Sequence, residues 1–260
     1  MEKTKIDWCD SSWNPVTGCY HDCEYCYAKS IVNRFSGNEA TDSIRVELND
    51  RIYSEKSKKA EAYPYGFIPT LHRYRLGEYE KKSGRNIFVC SMADLFGTWV
   101  PDSWIEEVFS ACEKAPQHSY IFLTKNPYRY VLLQRKKKLS VVDNMWYGTS
   151  ATDAEQLRVA VKLLKRLNHE TKTFLSIEPM LEDITSSDVW EYCICEHIVD
   201  WVIVGAETGN RKDKVIPERN WIESIVYDCH NEEIPVFMKS SLAGIWGKTL
   251  IQEFPMKLLR

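Results

Sequence analysis

No stretch of about 18 consecutive apolar residues occurs in this 260-residue chain, so nothing in it reads as a membrane-spanning helix. Met1-Glu2-Lys3-Thr4-Lys5 leads into no apolar signal segment, and the expected place is the cytoplasm, with no membrane partner. An excess of one charge is missing too. The 34 Lys and Arg against 37 Asp and Glu leave a net charge of −3, which excludes a basic nucleic-acid coat but allows a local basic groove. No G-x-G-x-x-G follows the first extended segment, so an open dinucleotide-binding sheet lacks its usual sign. A disulfide framework is absent as well. The cysteines number nine, an odd count, and Cys9, Cys90, Cys112, Cys193, Cys195 and Cys229 fall mostly inside apolar patterns, as buried thiols of a reducing compartment do. With 44% hydrophobic residues, the chain has enough apolar material for a full core, and a single domain over 1–260 is expected.

What the chain does have is three cysteines within eight positions, Cys19, Cys23 and Cys26, spaced C-x3-C-x2-C. A loop that tight turns all three sulfurs toward one centre without a distant element. Zinc held this way needs a fourth protein ligand, because structural zinc is tetrahedral and closed, and His21 and Cys9 are the nearby candidates. A [4Fe-4S] cluster takes one ligand per iron, so three cysteines leave one iron open for chemistry.

From residue 86 onward, short apolar runs alternate with helical patterns. The runs are Ile87–Cys90, Tyr120–Leu123, Met145–Tyr147, Thr173–Ile177, Trp201–Val204 and Val236–Met238, too uniformly apolar for half-exposed hairpins and suited to strands buried on both faces of a parallel sheet. Between them, Asp102 is expected to cap a helix bearing Trp104, Ile105, Val108, Phe109 and Cys112 on one face. Asp153-Ala154-Glu155-Gln156 resembles a capping box, and Pro217 precedes a helix carrying Trp221, Ile222, Ile225 and Cys229. Adding the segment before Cys19 and a short strand at Phe67–His72 gives seven or eight βα-sized units, hence an α/β fold: a (β/α) barrel, complete or partial, as one domain with a polar insertion around 36–66.

In such a barrel the residues after each strand share the C-terminal rim, where the cysteine loop also lies. These are Ser91 and Asp94; Lys125; Thr149 and Ser150; Glu178; Glu207; and Lys239 with its following serines. Ser150 and Asp153 also suit helix capping, Lys125 suits a turn, and Arg135-Lys136-Lys137-Lys138 suits a solvated helix end. Glu178 stands apart because Ile177 and Pro179-Met180-Leu181 surround it, a setting where an unpaired carboxylate is costly unless a ligand's ammonium or hydroxyls meet it. His72 closes its strand and is a candidate for the barrel mouth.

The cysteine spacing, with an aromatic residue, Tyr25, just before the last cysteine, resembles the cluster motif of the radical SAM enzymes. Trp13-Asn14-Pro15-Val16-Thr17-Gly18-Cys19 together with Ser91–Phe96, Leu123-Thr124-Lys125, Ser176–Pro179 and Trp201–Gly205 is similar to one phage-associated, largely uncharacterised radical-SAM-like family, over nearly the whole chain. That resemblance implies that Cys19, Cys23 and Cys26 hold a [4Fe-4S] cluster and that S-adenosylmethionine chelates the open iron. It further implies that one-electron reduction yields a 5′-deoxyadenosyl radical that takes hydrogen from a substrate, a nucleic acid or nucleotide among the candidates. An electron donor such as flavodoxin or ferredoxin is implied as a partner. Tyr25, Ser91, Asp94, Lys125, Thr149, Glu178 and Glu207 are the implied contacts of S-adenosylmethionine. The chain departs from the wider superfamily in having no Gly-Gly-Glu motif, for which the Ser91–Asp94 turn is the substitute, and no cysteine-rich tail. The competing readings are a zinc- or cluster-containing nucleic-acid-binding protein and a sensor that binds without radical catalysis.

Overall fold

The computed structural model describes residues 4–37, 41–209 and 211–258; the first three residues of the chain and positions 38–40 of the expected polar insertion lie outside the described residues. In chain order the strands are β1 (Ser11–Trp13), β2 (Val16–Thr17), β3 (Val46–Leu48), β4 (Thr70–His72), β5 (Asn86–Val89), β6 (Ser119–Thr124), β7 (Met145–Ser150), β8 (Lys172–Ile177), β9 (Val202–Val204) and β10 (Val236–Met238). The helices are α1 (Tyr27–Phe35), α2 (Asp102–Glu113), α3 (Tyr128–Arg135), α4 (Ala154–Leu164), α5 (Asp188–Cys195), α6 (Arg219–Asn231) and α7 (Ala243–Trp246).

Seven strands form one parallel sheet in the order β1-β5-β6-β7-β8-β9-β10. β1 and β10 stand at its two edges, so the sheet curls into an open half of a (β/α) barrel. The apolar runs account for this directly: alternate residues face the helices and the concave side, and both faces are buried. Phe88, Ile121, Trp146, Phe174, Ile203 and Phe237 fill the concave side together with Trp8 and Trp201, so the interior is a packed aromatic floor. Trp8 belongs to a segment that bridges the open side. Asp7 Oδ2 accepts from Ser240 N at the end of β10 (2.7 Å), and Asp10 N donates to Asn86 O at the start of β5 (2.9 Å).

Three local expectations change. Phe67–His72 is not a barrel strand; only Thr70–His72 is extended, and it pairs antiparallel with β2 and parallel with β3 in a separate three-stranded sheet. Pro69, which has no N–H to give, stands just before it. Asp102 is the first helical residue rather than the cap, since Pro101 holds the extended cap position, and its carboxylate instead receives Arg129 and Lys136, each at 2.7 Å. The basic run after α3 is thereby tied to α2. β7 runs on to Ser150, so Gly148, Thr149 and Ser150 are strand residues, not loop residues. Asp153 does cap α4: its Oδ1 accepts from Gln156 N at 2.8 Å, and the Gln156 side chain donates back to Thr152 Oγ1. Among the described residues no helix is long and apolar enough to cross a membrane.

His72 does not reach the mouth of the barrel. It is fully buried in the small sheet, 2.8 Å from Thr17 Oγ1 and 3.1 Å from the Tyr74 hydroxyl. Burial, helped by the Arg75 cation, pushes its pKa down to about 3. The unfolded chain, with a histidine pKa of about 6.5, binds a proton across the window between those values that the folded chain refuses. Stability therefore falls as pH drops below about 6.5, by at most ~1.4 kcal/mol per pH unit from this group, and is unaffected by it above. Burial shifts His118 in the same direction. Urea unfolding at pH 7 and pH 4.5 should show a smaller acid loss in His72→Gln than in the wild type; equal losses would show that His72 is not the sensitive group.

Candidate metal centre

The stretch before Cys19 is fixed at nearly every residue. Trp13 Nε1 donates to Arg75 O (2.9 Å), Asn14 Oδ1 accepts from Met92 N (2.9 Å) and Ser91 Oγ (3.2 Å), and Pro15 O accepts from His72 N (2.7 Å). Gly18 N donates to Met92 O (2.9 Å) and Cys19 N to Phe67 O (3.2 Å). Gly18 adopts φ +86°, and a Cβ there would lie 2.4 Å from the backbone oxygen of Ile68, so only glycine lets the two chains cross. Opposite it, Cys90 takes φ +60° at the end of β5, a conformation uncommon for a non-glycine residue, and turns Ser91 and Met92 toward Asn14.

The result is that Cys19, Cys23 and Cys26 line one pocket of about 450 Å³ with His21, Lys29, Phe67 and Ile68. Among the described residues, no three or more of His, Cys, Asp or Glu stand grouped as a ready site for a metal ion. Three thiols carried by one short loop are soft donors of the kind that iron–sulfur clusters and zinc take, so the residues present fit either group by their chemistry. Cys26 caps α1, its Sγ accepting from Lys29 N at 3.4 Å. Burial raises the Cys19 thiol to about 12, with Asp94, Cys23 and Cys26 pushing the same way; burial also raises Cys23, against the pull of Lys125. α1 is seated by Ala28 and Val32 against Met92.

Several strand ends reach this loop. After β5, the buried Asp94 carboxylate meets His21 Nε2 at 2.7 Å, and Ser91 O accepts from the Tyr27 hydroxyl at 2.6 Å. After β6, Lys125 Nζ donates to the Tyr25 hydroxyl at 2.9 Å. After β9, Glu207, with its side chain 1% exposed, is held by both arms of Arg211 (2.8 and 2.7 Å), which also lies 3.5 Å from Glu24. Tyr25, Lys125 and Thr149 line a second pocket of about 330 Å³, with His21 and Cys23 forming the wall it shares with the first. The Thr149 hydroxyl itself is used inside the sheet, donating to Thr124 O at 3.0 Å.

Glu178 lies apart from both pockets and is not unpaired: it forms an ion pair with Lys239 from the end of β10, the side chains being 23% and 17% exposed. Gly205 at the end of β9 leaves room for it, since a Cβ there would stand 3.1 Å from Lys239 Cδ and 3.2 Å from Glu178 Cγ. The Tyr27 phenol is raised above its ordinary range by burial first and then by the Glu178 charge, which brings this pair within electrostatic reach of the cysteine loop. Cys9 is half-buried with its Sγ 3.8 Å from Ile6 O, and it lines neither pocket. Cys193 is buried and Cys195 exposed, as residues two apart on a helix must be, so they do not pair as metal ligands.

Asn14 and Arg211 are the members whose side chains sequence reasoning gave no role, while Lys239, expected at the rim, had no partner assigned. Asn14 stood before a proline and Arg211 four residues after Glu207, but neither spacing says what the side chain will hold.

A family model described as "Protein of unknown function (DUF5131)" matches residues 3–256. Among solved structures, the chain is similar to spore photoproduct lyase complexed with dinucleoside spore photoproduct, with a TM-score of 0.50 and 9% identity, covering 95% of this chain and 77% of that one. A single-site variant of that lyase with the same dinucleoside gives 0.51 and 8%, covering 95% and 77%. A second single-site variant gives 0.50 and 8%, covering 90% and 78%. At such identities the likeness is one of fold. No curated protein matches.

Proposed function

Because the chain belongs to the DUF5131 family, whose description assigns no activity, we propose a function from its own site: a radical SAM enzyme acting on a nucleic acid or nucleotide. The observation that carries this reading is the sharing of one pocket by Cys19, Cys23 and Cys26 at the C-terminal mouth of a parallel half-barrel. Those three residues would hold a [4Fe-4S] cluster. When bound, the cluster and S-adenosylmethionine supply one-electron reductive cleavage and hydrogen-atom abstraction, chemistry that no side chain provides. The chain's own contribution is placement and exclusion of water. Phe67 and Ile68 wall the cysteine pocket with apolar surface. Tyr25 and Lys125, joined to each other, and Thr149 line the adjoining pocket, where S-adenosylmethionine would lie against the shared wall. Ser91, Asp94, Glu178 and Glu207 follow other strands and line neither pocket, and of these only Glu178 is taken as a determinant of cofactor affinity. The electron comes from a partner such as flavodoxin or ferredoxin. The nucleic-acid substrate is supported by the fold likeness to lyase structures that hold a dinucleoside.

The test is anaerobic reconstitution with iron and sulfide, reduction with S-adenosylmethionine present, and assay for 5′-deoxyadenosine. A colourless protein with stoichiometric zinc would favour the zinc-containing nucleic-acid-binding alternative, and cofactor bound but never cleaved would favour a sensor.

Glu178→Gln keeps shape and removes the charge that Lys239 now meets. Folding and iron content should survive while S-adenosylmethionine affinity or cleavage falls about tenfold to a hundredfold, the weight of one charge-assisted hydrogen bond. Normal binding and cleavage in that variant would leave the Glu178–Lys239 pair a structural one.

A further inference from the structure

The carboxylate of Asp94 is 7% exposed, and a charge so buried must be met by donors. Four donors meet it. Oδ1 accepts from Phe96 N (2.9 Å) and Thr124 Oγ1 (2.8 Å); Oδ2 accepts from Lys125 N (3.0 Å) and His21 Nε2 (2.7 Å). An ionised carboxylate has about four lone-pair sites, so none is left for a ligand's ammonium. The donors come from three separate pieces of chain: the turn after β5, the end of β6 and the cysteine loop. On its other side the His21 ring stands edge-on to Trp99, with centroids 4.9 Å apart, so the imidazole is gripped from two directions. His21 also belongs to the wall between the two pockets. The other side-chain ties of residues 22–24 are exposed: Asp22 pairs with Lys29, and Glu24 lies at the edge of Arg211.

We propose that Asp94 is a positioning residue that docks the cysteine loop on the barrel through His21, and so sets the two pockets against each other, rather than a contact of S-adenosylmethionine. The docking stands on the distances alone; its bearing on the metal rests on the function proposed above.

Asp94 is too deeply embedded to be the first target, since its loss strands donors from two strand ends. His21→Leu removes one donor and leaves the other three in place, and His21→Gln restores a side-chain N–H. Hydrogen exchange of the protein as isolated, followed over peptides spanning residues 19–26, should be about tenfold to a hundredfold faster in His21→Leu, near wild type in His21→Gln, and unchanged over β6 to β9 in both. Wild-type exchange in His21→Leu would overturn the docking. In iron-reconstituted protein, His21→Leu should keep its iron but lose the change that added S-adenosylmethionine makes in the electron paramagnetic resonance spectrum of the reduced wild type. The same spectral change in variant and wild type would overturn the claim that the dock aligns the pockets. A wild type that takes up no iron would sink the proposed function instead, with the exchange comparison still deciding the dock.

Discussion

Replacing Cys19, Cys23 or Cys26 singly by alanine is expected to remove most of the iron from a protein that otherwise takes up about four irons per chain on anaerobic reconstitution. The expectation is severe because the three sulfurs lie in one short loop and line one pocket, and two remaining thiols leave two metal positions without a protein ligand. Cys9→Ala is the internal control. Its sulfur faces the Ile6 carbonyl at 3.8 Å, it lines neither pocket, and burial holds its thiol up at about 12. Iron should therefore stay. If Cys9 proves as necessary as the other three, the metal has four protein ligands, no position is left open, and the proposed chemistry falls. Iron and sulfide analysis beside the visible absorption spectrum decides it.

Gly18→Ala should do nearly as much damage through geometry alone. The backbone there sits at φ +86°, which costs an L-residue roughly 1–2 kcal/mol, and the new methyl group would lie 2.4 Å from the fixed carbonyl oxygen of Ile68. Neither side yields easily: Gly18 N is bonded to Met92 O, and Cys19 N to Phe67 O. We expect a loss of about 2–4 kcal/mol in stability together with a large loss of iron, since a shift of this crossing moves Cys19. Gly66→Ala separates the two causes. That glycine has φ +60° but nothing within 4 Å of its missing Cβ, so it should cost only about 1–2 kcal/mol and no iron. Chemical denaturation and iron content measured on both variants test the argument, and a Gly18→Ala protein that behaves like Gly66→Ala would refute it.

Much of the scaffold was readable in the chain because its signals are local. Strands buried on both faces must be apolar throughout, and six such runs gave six parallel strands; the cysteine spacing is legible because its chemistry needs the sulfurs close. The Phe67–His72 segment shows the limit. A short apolar run tells that a strand forms but not which sheet it joins, and this one found β2 and β3. Glu178 is a second case: its apolar sequence neighbours suggested a lone carboxylate, but its partner Lys239 is 61 residues away. The Asn14 contact with Met92 N spans 78 residues. Pairings at such separations are properties of the closed sheet, and a polar residue beside a strand end announces only that something will be bound.

The aromatic floor of the half-barrel governs how deep a visitor can travel. Phe88, Trp146, Phe174 and Phe237, with Trp8 inserted from the bridging segment, occupy the space that an empty barrel would offer to a guest. A molecule arriving at the mouth meets the half-exposed ring of Tyr27, whose hydroxyl alone is tucked inward onto Ser91 O, and the Glu178–Lys239 pair. Size is then no obstacle to entry, because nothing has to be swallowed. A long polymer can lie across the rim and present a single protruding group, while a small molecule finds enclosure only in the two pockets beside the cysteine loop.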